Sequence, residues 1–185
     1  MANYPELTAS TSKLRRMVYN NELIRLRRNL YIPVQNEINT LLVANYIISP
    51  SYVSGLTALW YYGIIPETVH EVFSMTTKRT KTFQNELGYF RYHNCSENNF
   101  YLGIETKTLN GQAFLVAGKE KAIIDYIETT PNLNLRYKRE TLEWMENDMR
   151  MDTEELSSMN LNIFKQYMLN GKKTNMLSNI VKIFS

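Results

Sequence analysis

Residues 8 to 33 read TASTSKLRRMVYNNELIRLRRNLYIP and carry two hydrophobic periodicities in succession. From Ser10 to Asn20, Leu14, Met17 and Val18 recur at i, i+3 and i+4, while Ser12, Arg15, Arg16, Tyr19 and Asn20 fall on the other side. That spacing predicts a short amphipathic helix, with Thr8, Ser10 or Thr11 available as its N-cap. From Leu23 the pattern becomes alternation, with Leu23, Arg25 and Arg27 on one face and Ile24, Leu26 and Arg28 on the other. Asn29 suits a tight turn, Leu30 to Ile32 form the return strand, and Pro33 stops it. The unit is a helix followed by a basic β-hairpin.

Charge is unevenly divided along the chain. Residues 1 to 31 hold six basic side chains, Lys13, Arg15, Arg16, Arg25, Arg27 and Arg28, against Glu6 and Glu22, an excess of four. The other 154 residues hold 15 basic and 16 acidic side chains, so the whole net charge of +3 originates at the amino end. A compact basic cluster beside a nearly neutral body is an electrostatic footprint for nucleic acid.

The order helix then hairpin is also how a winged helix ends, with a recognition helix for the major groove and a wing that reaches phosphate or the minor groove. On that reading Thr11, Ser12, Lys13, Arg15, Arg16 and Asn20 are the helical contacts to double-stranded DNA. Arg25, Arg27 and Arg28 supply the wing. The same residues also suit a solvated basic surface, or an edge hairpin protected from aggregation by charge.

The remainder predicts a larger body. Ile38, Leu41, Leu42 and Tyr46 are spaced for a linker helix, and SPSYVSGLTALWYYGIIP (49 to 66) reads as a core helix with Ser49 as N-cap, Pro50 in the first turn and Gly63 at its end. Residues 68 to 116 are rich in aromatic and β-branched residues in runs broken by glycine and asparagine, and Asn110-Gly111 is a strong hairpin signal. About four mostly antiparallel strands are expected there. GKEKAIIDYIETTP (118 to 131) then gives a helix with Ala122, Ile123, Tyr126 and Ile127 inward, and the last third reads as helical throughout. The expected class is α+β: a partial winged helix over residues 1 to 33, and a body over 34 to 185 with a helical carboxy-terminal third.

Composition sets outer bounds. With 185 residues, 44% hydrophobic and 12% aromatic, the chain can bury a real core. A single cysteine, Cys95, forms no internal disulfide, and no basic and apolar leader is visible near Met1, which points to the cytoplasm. LLVANYII (41 to 48) falls well short of the about 20 residues of a membrane span.

Several constellations bear on chemistry. Glu105 and Lys107 share a strand face and, with Glu120, Lys121 and Asp125, resemble an acid and lysine set of a metal-dependent nuclease. Charges on a helix more commonly solvate an outer face, and Glu120, Lys121 and Asp125 are expected to do so. His70, His93 and Cys95 fall short of a zinc ligand set, neither glycine-rich phosphate loop is present, and Cys95 has no base beyond His93. No enzyme activity, metal or cofactor is therefore expected. Trp60, Tyr61 and Tyr62 are consecutive, so at least one faces outward on a helix.

The block SYVSGLTALWYYGIIP, a strand ending MTTKR, then GYFRYH, FYLGI and VAGKEKAIIDYI, resembles the antitoxin of the bacterial abortive-infection AbiE system, a type IV toxin-antitoxin pair for phage defence. The likeness covers residues 8 to 130. It is carried by G-L-x-A-L-x-x-x-G at Gly55 to Gly63 and E-K-A-x-x-D at Glu120 to Asp125. It implies a winged-helix transcriptional regulator that represses its own promoter and opposes a nucleotidyltransferase-class toxin. Family members place one or two further helices before the recognition helix, so a shortened winged helix is expected here. The alternative within the same resemblance is a protein-binding antitoxin without independent DNA recognition.

Overall fold

The computed structural model describes residues 11 to 35 and 37 to 185. The candidate caps Thr8 and Ser10 lie outside the described residues. The chain begins with α1 (Thr11–Tyr19), β1 (Leu23–Arg27) and β2 (Leu30–Pro33), followed by α2 (Thr40–Ile47). Asn21, at φ 56°, closes α1 in the left-handed conformation, with Glu22 N–H donating to Met17 O at 2.9 Å. Asparagine tolerates that conformation at a helix C-terminus better than most residues. Asn29, at φ 61°, makes the hairpin turn, and β1 alternates as expected, with Ile24 and Leu26 buried and Arg25 and Arg27 exposed.

The body is one mixed sheet of six strands, in the order β5-β6-β4-β3-β8-β7. These are β3 (Ser51–Val53), β4 (Glu71–Thr76), β5 (Lys81–Asn85), β6 (Gly88–Asn94), β7 (Ile104–Leu109) and β8 (Gln112–Ala117). Antiparallel pairs β5–β6, β4–β3 and β8–β7 are joined by parallel pairs β6–β4 and β3–β8. The β7–β8 hairpin turns at Asn110 and Gly111, both with positive φ. α2 packs on one side of the sheet. The other side carries α3 (Gly55–Tyr61) and α5 (Lys119–Thr129), backed by α6 (Lys138–Glu143), α8 (Leu161–Met168) and α9 (Thr174–Phe184). Short helices α4 (Glu97–Phe100) and α7 (Thr153–Ser157) and a π-helical turn at Trp144–Asp148 complete the described elements. The fold is mixed α+β.

Three sequence expectations are corrected. Residues 49 to 63 do not form one helix: Ser51–Val53 is a strand, and the helix begins only at Gly55. Tyr52 and Val53 are fully buried and β3 is paired on both sides, so sheet pairing outweighs the cap signal of Ser49 and Pro50. Gly55 sits at φ 48°, where a Cβ would lie 2.8 Å from the Phe73 ring, which explains glycine at the head of α3. β5 lies outside the expected runs, since KTFQN has one large apolar residue, and the segment from Glu97 to Phe100 is a helical turn rather than strand. With β3 and β5 the strand count of the body rises to six. Lastly, Lys121 and Asp125 are not solvated. Both side chains have zero exposure, because α5 is packed on nearly all sides.

The amino-terminal hairpin shares the body's core. Leu26, 2% exposed, and Ile24 join the same apolar cluster as Ile47, Tyr92 and Phe90. Asn85 Nδ2 donates to Leu26 O at 3.1 Å, and Arg27 Nε donates to Ile47 O, at the end of α2, at 2.7 Å. The hairpin is fastened at both the sheet edge and the helix end.

Candidate nucleic-acid interface

α1 exposes Thr11, Ser12, Lys13, Arg15, Arg16 and Tyr19, the turn after it exposes Asn20, and no residue of α1 is fully buried. At 100° per residue, Arg15, Tyr19, Ser12, Arg16, Asn20 and Lys13 form one outward arc, opposite the half-buried Leu14, Met17 and Val18. Leu14 faces the hairpin across an apolar groove of about 720 Å³ between α1, the hairpin and α2, lined also by Leu23, Tyr31, Ile38, Leu42 and Tyr46. Asn39 caps α2 from the wall of that groove, its Oδ1 accepting from Leu41 N and Leu42 N at 3.0 and 3.2 Å. α1 therefore rests on the hairpin, and the hairpin rests on the body.

The proposed wing residues divide into two kinds. Arg25 and Arg28 are exposed, and no ion pair among the described residues engages them. Arg27 is exposed as well, but its guanidinium is committed to the Ile47 and Arg28 carbonyls. It anchors the hairpin. Asn20 is committed too, since its Nδ2 donates to Glu22 Oε1 at 3.1 Å. Arg15, Arg16, Arg25 and Arg28 remain as exposed guanidinium groups without an acid partner among the described residues.

A second polar constellation lies inside the body. Lys121 Nζ stands 2.8 Å from Asp125 Oδ1 and donates to Asn99 O at 3.0 Å. Asp125 Oδ2 accepts from Ser54 Oγ at 2.7 Å and Tyr52 OH at 3.0 Å. Contact with Oδ1 is that of an ion pair rather than an aligned hydrogen bond. The Tyr167 and Tyr52 rings cover the ammonium at 4.8 and 5.8 Å. Burial, reinforced by the Asp125 charge, holds the Tyr52 phenol well above its ordinary pKa. The network ties α5 to β3, α4 and α8, and its full enclosure leaves it a locking role. Sequence reasoning missed it by drawing the inward face of α5 too narrowly. Ile124, between Lys121 and Asp125, was the available signal, since a helix apolar on several sides is buried.

Among the remaining candidates only Glu105 and Lys107 are brought together by an ion pair. Glu105 and Lys107 do share a face of β7, as an ion pair at 2.6 Å, with Tyr62 OH donating to Glu105 at 3.3 Å. Glu120 accepts from Asn160 N at 2.6 Å. His93 stacks on Phe73 with centroids 4.6 Å apart, and burial, with Arg91 nearby, lowers its pKa. Burial pushes the Cys95 thiol up to about 11, away from the nucleophilic range. Trp60 is 45% exposed, while Tyr61 and Tyr62 are half-buried. Among the described residues no three His, Cys, Asp or Glu side chains converge on a metal position, and no helix is long and apolar enough to cross a membrane.

No family model matches the chain, and no curated protein matches its sequence.

Proposed function

We propose that the chain binds duplex DNA through α1 and the basic hairpin, in the manner of the recognition helix and wing of a winged helix, and serves as the antitoxin and autorepressor of an AbiE-type pair. The observation that carries the DNA reading is the set of exposed guanidinium groups without an acid partner among the described residues, Arg15 and Arg16 on α1 and Arg25 and Arg28 on a hairpin fastened to a folded body. Guanidinium groups are suited to bidentate contact with phosphate, and a fixed scaffold reduces the ordering cost of binding. In this role α1 reads the major groove and the Arg28 tip tracks the backbone. Lys13 complements Arg16, one turn further along α1. The partners are the chain's own promoter and a nucleotidyltransferase-class toxin, which the body opposes.

The apolar groove beside α1 favours a second reading, in which the module docks a protein and does not recognise DNA independently. A shift assay with the promoter duplex, paired with growth rescue against a co-expressed neighbouring toxin, separates the two. Rescue with promoter binding supports the first reading. Rescue without it supports the second.

A further inference from the structure

A second basic cluster lies in the body, although the body holds one more acidic than basic side chain. Residues 72 to 85 contain Lys78, Arg79 and Lys81 and no acid. All three side chains are exposed, and no ion pair among the described residues engages them. The turn that carries them is fixed by hydrogen bonds at both ends. Thr76 Oγ1 donates to Pro50 O at 2.6 Å and accepts from Lys78 N at 3.2 Å. Asn94 Nδ2 donates to Thr77 O and Lys78 O at 3.1 and 2.9 Å, and Asn94 N donates to Thr80 Oγ1 at 3.1 Å. Lys81 Nζ lies over the Phe83 ring at 5.0 Å.

This turn lies close to the hairpin, and Lys81 projects to the same side of the sheet. Lys81 pairs with Tyr92 across β5 and β6, so both side chains share a sheet face, and Tyr92 OH donates to Ala44 O on α2. That is the α2 side, to which Arg27 is bonded through Ile47. From Ile47 to Pro50 the chain spans at most about 11 Å, and the Thr76 bonds then lead directly to Lys78 N. The path from the Arg27 guanidinium to Lys78 is therefore at most about 20 Å, less than the roughly 34 Å of one duplex turn.

We infer that Lys78, Arg79 and Lys81 form a second phosphate-contacting site, continuing the hairpin's basic surface onto the body so that one duplex spans both. The inference rests on the DNA-binding reading above and extends its footprint beyond the amino-terminal module. Phosphate contacts of this kind add affinity without sequence preference and steepen its salt dependence by about 0.9 per contact in log–log form.

The test uses the full chain and a random-sequence duplex of about three helical turns, with affinity measured over a series of salt concentrations. Lys78→Ala/Arg79→Ala/Lys81→Ala should flatten the salt slope by about two to three and lower affinity at least tenfold at moderate salt. The comparison variant Lys165→Ala/Lys172→Ala/Lys182→Ala removes the same charge from the opposite helical layer and should leave the slope in place. An unchanged slope in the first variant, or an equal loss in both, overturns the second site while leaving the hairpin reading standing. A wild-type chain that does not bind the duplex at all overturns both.

Discussion

Lys121 Nζ and Asp125 Oδ1 stand 2.8 Å apart, one turn from each other on α5, with neither side chain reaching solvent. Removing one member leaves the other charge buried without its counter-ion, whereas replacing both by apolar residues of similar size removes the desolvation penalty as well. Asp125→Ala is expected to destabilise the fold by about 3–5 kcal/mol, and Lys121→Met/Asp125→Leu by less, its residual loss coming from the Tyr52 and Ser54 hydroxyls and the Asn99 carbonyl that lose their partners. Denaturant unfolding of both variants checks this. Equal losses would mean that the pair itself, rather than the unpaired charge, carries the effect.

Arg27 and Arg28 are neighbours with different work. Arg27→Ala removes a charged hydrogen bond to Ile47 O, a contact worth about 1.5–3 kcal/mol when well shielded and less at this exposed position. Hydrogen exchange should quicken across residues 23 to 33 in that variant. Arg28→Ala should leave exchange unchanged and weaken duplex binding alone. Faster exchange in both would place Arg28 in the anchor too.

The His93 ring gives a pH dependence whose sign follows from its surroundings. Burial, with Arg91 adding repulsion, lowers its folded-state pKa below 6.5. Below pH 6.5 the unfolded chain therefore takes up the proton more readily than the folded one, and stability is lost as pH falls from 6.5 toward the folded-state value. Thermal unfolding between about pH 7 and 5.5 should show that loss in the wild type. It should be reduced in His93→Phe, which keeps a ring against Phe73. A wild-type profile flat over that range would contradict the assignment.

The two glycines that bound the G-L-x-A-L-x-x-x-G stretch differ in what surrounds them. At Gly55, with φ 48°, a methyl carbon would sit 2.8 Å from the Phe73 ring, while Gly63 has φ 72° and open space around it. Gly63→Ala should cost about 1–2 kcal/mol from backbone strain alone, and Gly55→Ala more, since a ring must also move. Denaturant unfolding compares the two, and matching losses would show that Phe73 yields freely.

Where local pattern and burial agree, the sequence was readable. The Leu23 to Arg27 alternation, the Asn29 and Asn110-Gly111 turns and the helical final third all appear in the fold at those positions. β3 was hidden because three residues are too few to display a period, and β5 because an edge strand with alternate polar residues resembles a loop. The buried ion pair was hidden because charge on a helix favours an outward reading until neighbouring helices enclose it. Exposed basic residues at Arg15, Arg16 and Arg25 were legible from periodicity, whereas alternation places Arg28 on the face of the buried Ile24 and Leu26 and the turn at Asn29 brings it out. Arg27's role as an anchor was not, since its partner, the Ile47 carbonyl, is 20 residues away. The proximity of Lys78 and Arg79 to the hairpin likewise depends on pairing between β3 and β4.

The central claim is that α1 and the hairpin bind duplex DNA and recognise the chain's own promoter. Affinity for the promoter and for a scrambled duplex, each measured against salt concentration, tests it most directly. Affinity should depend on salt for both duplexes and be tighter for the promoter. Arg15→Ala/Arg16→Ala should reduce that preference, while Arg25→Ala/Arg28→Ala should weaken both duplexes alike and flatten the slope by about two. Binding that is absent at low salt, or indifferent to all four arginines, would contradict it.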